Sequence, residues 1–117
     1  MQYQTHHDKV VEFGTGAVRS DTTGKGRFDL ISPIALRRLA GVYERGASQK
    51  GERNWEGGFP ISRALDSALR HINQYREGMR DEDHLAQAAW NLFAAIHFEE
   101  ARPECNDLPR YPSILEA

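Results

Sequence analysis

Four polar side chains interrupt an otherwise apolar stretch, DHLAQAAWNLFAAIHFE at residues 83 to 99: His84, Gln87, Asn91 and His97. At helical spacing this stretch has almost no water-facing side. Leu85, Ala89, Leu92 and Ile96 form one stripe, and Ala86, Trp90, Phe93 and His97 a second. His84, Ala88, Asn91 and Ala95 form a third, with Gln87 on its border. A helix apolar nearly all round is buried in the middle of its domain. Buried polar groups need partners, from the protein or from a ligand. The imidazoles and amides here therefore either hold the fold together or line a pocket.

A second polar stripe lies upstream, where Ser67, His71 and Gln74 follow one another at i, i+4 and i+7. Ser67 and His71 share a face, but no glycine elbow presents the serine as a nucleophile. Zinc would want several His or Cys ligands. His84 and His97 stand about 20 Å apart along a helix axis and cannot share one ion. Carboxylates gather at Glu77, Asp81, Glu82 and Asp83. A few of them could hold one magnesium ion, and acids there also suit a helix N-terminus. Between residues 46 and 60, Lys50, Arg53, Asn54 and Trp55 combine cations, an amide and a stacking face, a kit for a base plus phosphates. The other reading of Trp55 is a plug at the edge of the core.

These groups need elements to position them. Residues 33–45 form a first helix, with Ser32 as N-cap, Pro33 in the first turn and Gly46 as the stop. Arg37, Arg38 and Glu44 face outward on this reading. The 46–60 stretch is then a long connection, of the kind that often carries function. A second helix spans about 62–77, capped by Ser62 and stopped by Gly78, with Leu65, Leu69, Ile72 and Tyr75 as its core stripe. The third spans about 83–100. The short hinge between them makes an antiparallel hairpin, and pairing outward from Arg80 sets His71 level with Gln87 to Asn91. The fold class is all-α: a small bundle of three main helices, with a Gly-rich N-terminal strap and an extended Pro-rich tail. The tail docks through Tyr111, Ile114 and Leu115. Residues 1–12 and 103–117 are flexible or extended ends, and adjacent His6 and His7 fall in the first of them.

The strap itself, residues 13–32, is basic and Gly-rich, but Gly24-Lys25 is followed by Gly26 rather than the Ser or Thr of a P-loop. Gly14-Thr15-Gly16 completes no dinucleotide fingerprint either. At 117 residues the chain makes one domain, 1–117. Its 39% hydrophobic and 27% charged content is that of a soluble globular protein. A net charge of −2 gives no field for polymeric nucleic acid. No apolar run spans a bilayer, no signal-peptide core opens the chain, and the single Cys105 makes no internal disulfide. The expectation is a cytoplasmic protein with no membrane association.

Three blocks in order, YERGASQKGERNWEGG, RHINQY and DEDHLAQAAWN, resemble a phage family of dATP/dGTP diphosphohydrolase N-terminal domains across about residues 13 to 100. The resemblance implies a phage-encoded helical protein of the bacterial host cytoplasm that splits a purine dNTP into dNMP and pyrophosphate with Mg²⁺. It assigns phosphates to Lys50 and Arg53, the base to Trp55, and the metal and water to His71, Asn91, Glu82 and Asp83. The expected catalytic set is Glu82, Asp83 and His71, with Glu82 and Asp83 on the metal. The expected binding set is Arg27, Lys50, Arg53, Asn54, Trp55, His71, Gln74, His84, Gln87 and Asn91. The sequence departs from related helical pyrophosphohydrolases, which carry ExxE on one helix and ExxD on the next. Here the one Glu-x-x-Asp is Glu104 to Asp107, in the tail. That departure favours a rival, a non-catalytic sponge that sequesters a cyclic or ADP-ribose-type nucleotide signal of anti-phage immunity and needs no cofactor. Either way the partner is a small nucleotide, and a homo-oligomer is expected. A third reading makes the polar seam an oligomer interface only.

Overall fold

The structure, a computed structural model, describes residues 9–112. His6, His7, Ile114 and Leu115 lie outside the described residues. Contacts divide the chain into two compact units at the Ile31–Ser32 boundary.

In the first unit a hairpin joins the end of the 1–12 segment to the strap. Strands β1 (Val10–Glu12) and β2 (Val18–Ser20) pair antiparallel, with Val11 opposite Arg19. The turn closes through the Phe13 N–H on the Ala17 carbonyl at 2.9 Å, and Gly16 supplies the positive φ of +90° that it needs. The expectation of a flexible or extended end at 1–12 followed by a Gly-rich strap missed this pairing, because three residues per strand are too few to show an alternating pattern.

The second unit is helical. Helix α1 (Pro33–Lys50) starts where expected: the Ser32 hydroxyl accepts the Ala35 N–H at 3.1 Å, and Pro33 stands in the first turn. It does not stop at Gly46. Ala47 to Lys50 carry the helix on, and Gly51, at φ +99°, ends it. The expected fifteen-residue loop contracts to 51–60 and holds a 3-10 turn, Asn54–Gly57. Helix α2 (Ile61–Arg76) follows. Helix α3 (His84–Ala101) opens on Asp83, whose side chain accepts the Ala86 N–H at 3.2 Å. Among the described residues no helix is long and apolar enough to cross a membrane.

Helices α2 and α3 form the antiparallel hairpin. Ile61 at the start of α2 meets Ala94 and Phe98 near the end of α3, while His71 meets His84 at the other end. Small residues, Ala64 and Ala68 on α2 with Ala86 and Ala94 on α3, lie buried and let the helices approach closely. Helix α1 packs on α3 in the same direction: Arg38 reaches Asp83 and, further along, Tyr43 reaches Trp90. Trp55 and Phe59 close the far end against Phe98. Gly58 makes that closure possible: its φ is +94°, and a Cβ there would stand 2.9 Å from both Arg102 and Cys105. The Arg102 Nε–H then donates to the Glu56 carbonyl at 2.8 Å.

Several expectations change here. Of the α2 stripe expected in the core, Leu69, Ile72 and Tyr75 are exposed. The third helix is not covered all round: Leu85, Leu92, Phe93 and Ile96 are exposed, up to 62% at Ile96. Ser62 is not the α2 cap. It lies inside the helix, and Asp107, 45 residues away in the tail, accepts its N–H at 2.9 Å and its hydroxyl. The Pro-rich tail is thus tied down as far as Asp107, after a 3-10 turn at Pro103–Cys105, whereas Tyr111, expected to dock it, is exposed. The Ser62 hydrogen bonds hold the Asp107 carboxyl below its ordinary range. Its contribution to stability is therefore present above the unfolded aspartate pKa and fades as pH falls through the lowered one. Asp107→Asn is expected to lower the melting temperature at pH 7 and to flatten its acid-side fall, read by circular dichroism across pH.

Candidate functional site

A cleft of 1620 Å³ lies in the helical unit, between the second half of α1, the 51–60 turn and the start of α3. That exceeds the roughly 300–1,000 Å³ of common small-ligand sites, so a nucleotide with its phosphate chain has room. Lys50, Arg53, Asn54 and Trp55 come together in its wall from the turn side. Glu82, Asp83, His84 and Gln87 come from the α3 side. Of the other nominated residues, His71, Gln74 and Asn91 do not line the cleft. Arg27 belongs to the first unit, where Asp29 holds its guanidinium through two 2.8 Å hydrogen bonds.

The cleft also takes in residues the sequence reading left out. Arg38 and Arg45 project from α1 seven residues apart, two turns along one face, and Trp90, Tyr43 and Arg80 join them. The i, i+7 spacing of the two arginines, flanking buried Val42, was the available signal.

About half of the charges lining the cleft are paired. Asp83 spends both carboxylate oxygens on Arg38, at 2.5 and 2.8 Å, while capping α3. The Arg38 guanidinium is the main reason that carboxyl titrates below its usual range. Arg53 bonds Glu56 at 2.5 Å from a left-handed backbone, φ +56°, which a non-glycine residue adopts at a cost of about 1 kcal/mol. The Arg80 guanidinium sits 4.2 Å over the Tyr75 ring. Among the described residues that line the cleft, Arg45, Lys50, Arg80, Glu52 and Glu82 form no ion pair. A polyanion entering the cleft thus meets Arg45 and Lys50 without displacing a carboxylate.

Trp55 is committed to packing as well as to the cleft. Its ring contacts Tyr43 at 6.0 Å, Trp90 at 6.5 Å and the His97 imidazole at 4.8 Å, all edge-on. The plug reading thus holds, and His97 belongs to that aromatic cluster. Asn91 is buried and donates to the Gln87 carbonyl of its own helix at 2.9 Å, not across the seam.

His71 does not reach the level of Gln87 to Asn91. The chain reverses at Gly78, φ +90°, two residues before the expected pivot at Arg80, and His71 meets His84 instead. Their Nδ1 atoms lie 2.9 Å apart, and His84 Nε2 stands 2.9 Å from Asp81. An ionised carboxylate only accepts, so His84 carries its proton on Nε2 and offers the Nδ1 lone pair to His71. The hydrogen bond from His84 is the main cause of a lowered Asp81 pKa. Burial is the main cause holding His71 below the usual histidine range, against the pull of Glu82.

Magnesium, which the resemblance implies, takes oxygen ligands in near-octahedral order. Of the two acids nominated for it, Asp83 is engaged by Arg38 and the helix cap, and only Glu82 stays unpaired among the described residues. The nominated pair does not fit that ion.

A helical hairpin braced by a third helix, with a large open cleft of cations and aromatic rings along it, defines a small all-α domain. The family model described as dATP/dGTP diphosphohydrolase, N-terminal, matches residues 15–108, and the chain belongs to that family. No curated protein and no solved structure matches it.

Proposed function

We propose that the cleft binds a purine deoxynucleoside triphosphate, and that the domain splits it into dNMP and pyrophosphate or supports that reaction. The observation that carries this reading is the placement of unpaired Arg45 and Lys50 in one cleft with Trp55 and Trp90, in a chain of a nucleotide-handling family. On this reading the two cations take the phosphates, the indoles border the base, and the Asn54 and Gln87 amides, which also line the cleft, read its edge. Hydrolysis brings a water to the α-phosphorus with pyrophosphate leaving, and Glu82 is the nominated acid free to face it.

A second reading is sequestration of a cyclic or ADP-ribose-type nucleotide signal without turnover. The pairing of Asp81, Asp83 and Glu56 with His84, Arg38 and Arg53 favours it, since binding needs no free acids. Incubation with dGTP or dATP and Mg²⁺ separates the two. Pyrophosphate release supports the first; saturable binding without it moves the assignment to the second. The absence of both defeats the cleft as a nucleotide site.

Self-association belongs to the same proposal. Leu85, Leu92, Phe93 and Ile96 on α3 and Leu69 and Ile72 on α2 are all exposed, and two hairpins that bury such side chains together make a four-helix arrangement. Light scattering is expected to give a dimer, and Leu92→Glu with Ile96→Glu to return the 13.3 kDa chain; a wild-type monomer would remove this part.

A further inference from the structure

His71, Glu82 and His84 each bring one ligand atom within 4.8 Å of the others. Two of the three are imidazoles. Histidine nitrogen suits zinc, cobalt, nickel and iron, whereas magnesium wants oxygen. We propose that these three side chains bind a divalent transition-metal ion of the zinc or cobalt type at the α2–α3 turn, where the sequence resemblance implies magnesium on Glu82 and Asp83.

The geometry supplies what such a site needs. Ligands to one tetrahedral ion at ordinary zinc–nitrogen distances are about 3.3 Å apart. The two Nδ1 atoms are at 2.9 Å in a hydrogen bond, and all three ligand atoms lie within 4.8 Å, so ligation asks both rings to turn toward a shared point and the Glu82 carboxylate, on an exposed side chain, to close in. His84 is 1% exposed and its Nε2–H is held by Asp81. A ligating histidine tied through its other nitrogen to a carboxylate is the usual second layer of a metal site, and it fixes the lone pair on the ligating atom. Glu82 is exposed and has no other partner among the described residues, so nothing competes for its oxygens. Binding moves the His71 proton from Nδ1 to Nε2, so no net proton is released. Three protein ligands leave a fourth position open. Glu82 and His84 also line the cleft, so the ion would sit at its margin. The inference does not depend on nucleotide binding, because the metal alone tests it.

The experiment uses the full chain with His6→Ala and His7→Ala, which removes the adjacent terminal histidines as competing ligands. Zinc is titrated by calorimetry, and cobalt by the visible absorption of a four-coordinate ion. One ion per chain is expected for each, with no comparable saturation by Mg²⁺. His71→Ala and Glu82→Gln, on incompletely buried side chains, should keep the helical circular dichroism and each weaken zinc at least tenfold. Asp81→Asn, which removes the carboxylate that holds the His84 Nε2–H, should weaken it about 10–100-fold. Absence of saturable zinc or cobalt uptake overturns the proposal, as does uptake that His71→Ala and Glu82→Gln both leave unchanged. Failure here would leave the cleft reading standing.

Discussion

Phe98→Ala is expected to lower the melting temperature by roughly 15–30 °C, the largest stability effect of any single change in the helical unit. Phe98 is 0% exposed and belongs to the central cluster with Ile61 and Ala94. Phe59 meets it edge-on at 4.9 Å, and Trp55 lies 6.1 Å away. Truncating a buried phenylalanine costs about 3–5 kcal/mol, because the transfer term is lost and the hole only partly collapses. Domains of this size hold only about 5–15 kcal/mol in total. At about 4–8 °C per kcal/mol the shift follows. The loss also takes away the ring under Trp55, so nucleotide binding should weaken along with folding. Thermal melts at 222 nm read the first effect. A shift of a few degrees would mean that the aromatic turn does not close the core as described.

Arg45→Glu combined with Lys50→Glu should weaken dGTP or dATP binding at least about 100-fold while leaving the melting temperature within a few degrees. Both side chains are exposed, and neither forms an ion pair among the described residues, so folding loses little. A hydrogen bond to a charged group contributes about 1.5–3 kcal/mol, or about tenfold or more for each cation lost. Reversal adds repulsion on the phosphates. Arg53→Ala is the informative contrast, because Arg53 is already bonded to Glu56 and carries positive φ. Its loss should cost less affinity than Arg45→Ala or Lys50→Ala does singly. Calorimetric titration separates the three, and equal effects would mean that the phosphates lie elsewhere.

Local signals carried most of the helical architecture. Ser32-Pro33 marks a helix start by chemistry that acts within one turn, and Asp83 does the same for α3. What the sequence hid depends on partners remote in the chain. Ser62 has the chemistry of a cap, but Asp107 arrives from the tail and takes both its donors. Gly46 resembles a stop, yet a glycine can remain in a helix for about 1 kcal/mol, and the positive φ falls at Gly51. The apolar circumference of α3 was legible, but not that Leu92 and Ile96 would stay exposed. At the candidate site, residue types were legible and pairings were not. Asp83 looks available until Arg38 is placed beside it. Arg38 and Arg45 look like solvated charges until the turn folds over α1 to make the cleft. Asn91 looks like a ligand group until its own helix takes its amide.

The chain has two tryptophans, Trp55 and Trp90, and both line the cleft. Their indole N–H signals in a proton–nitrogen NMR spectrum report on it directly. Adding dGTP or dATP should move both signals saturably with a common midpoint, and the Arg45→Glu, Lys50→Glu variant should abolish the movement. Two indole signals that stay still as nucleotide is added would contradict a nucleotide site between α1, the 51–60 turn and α3.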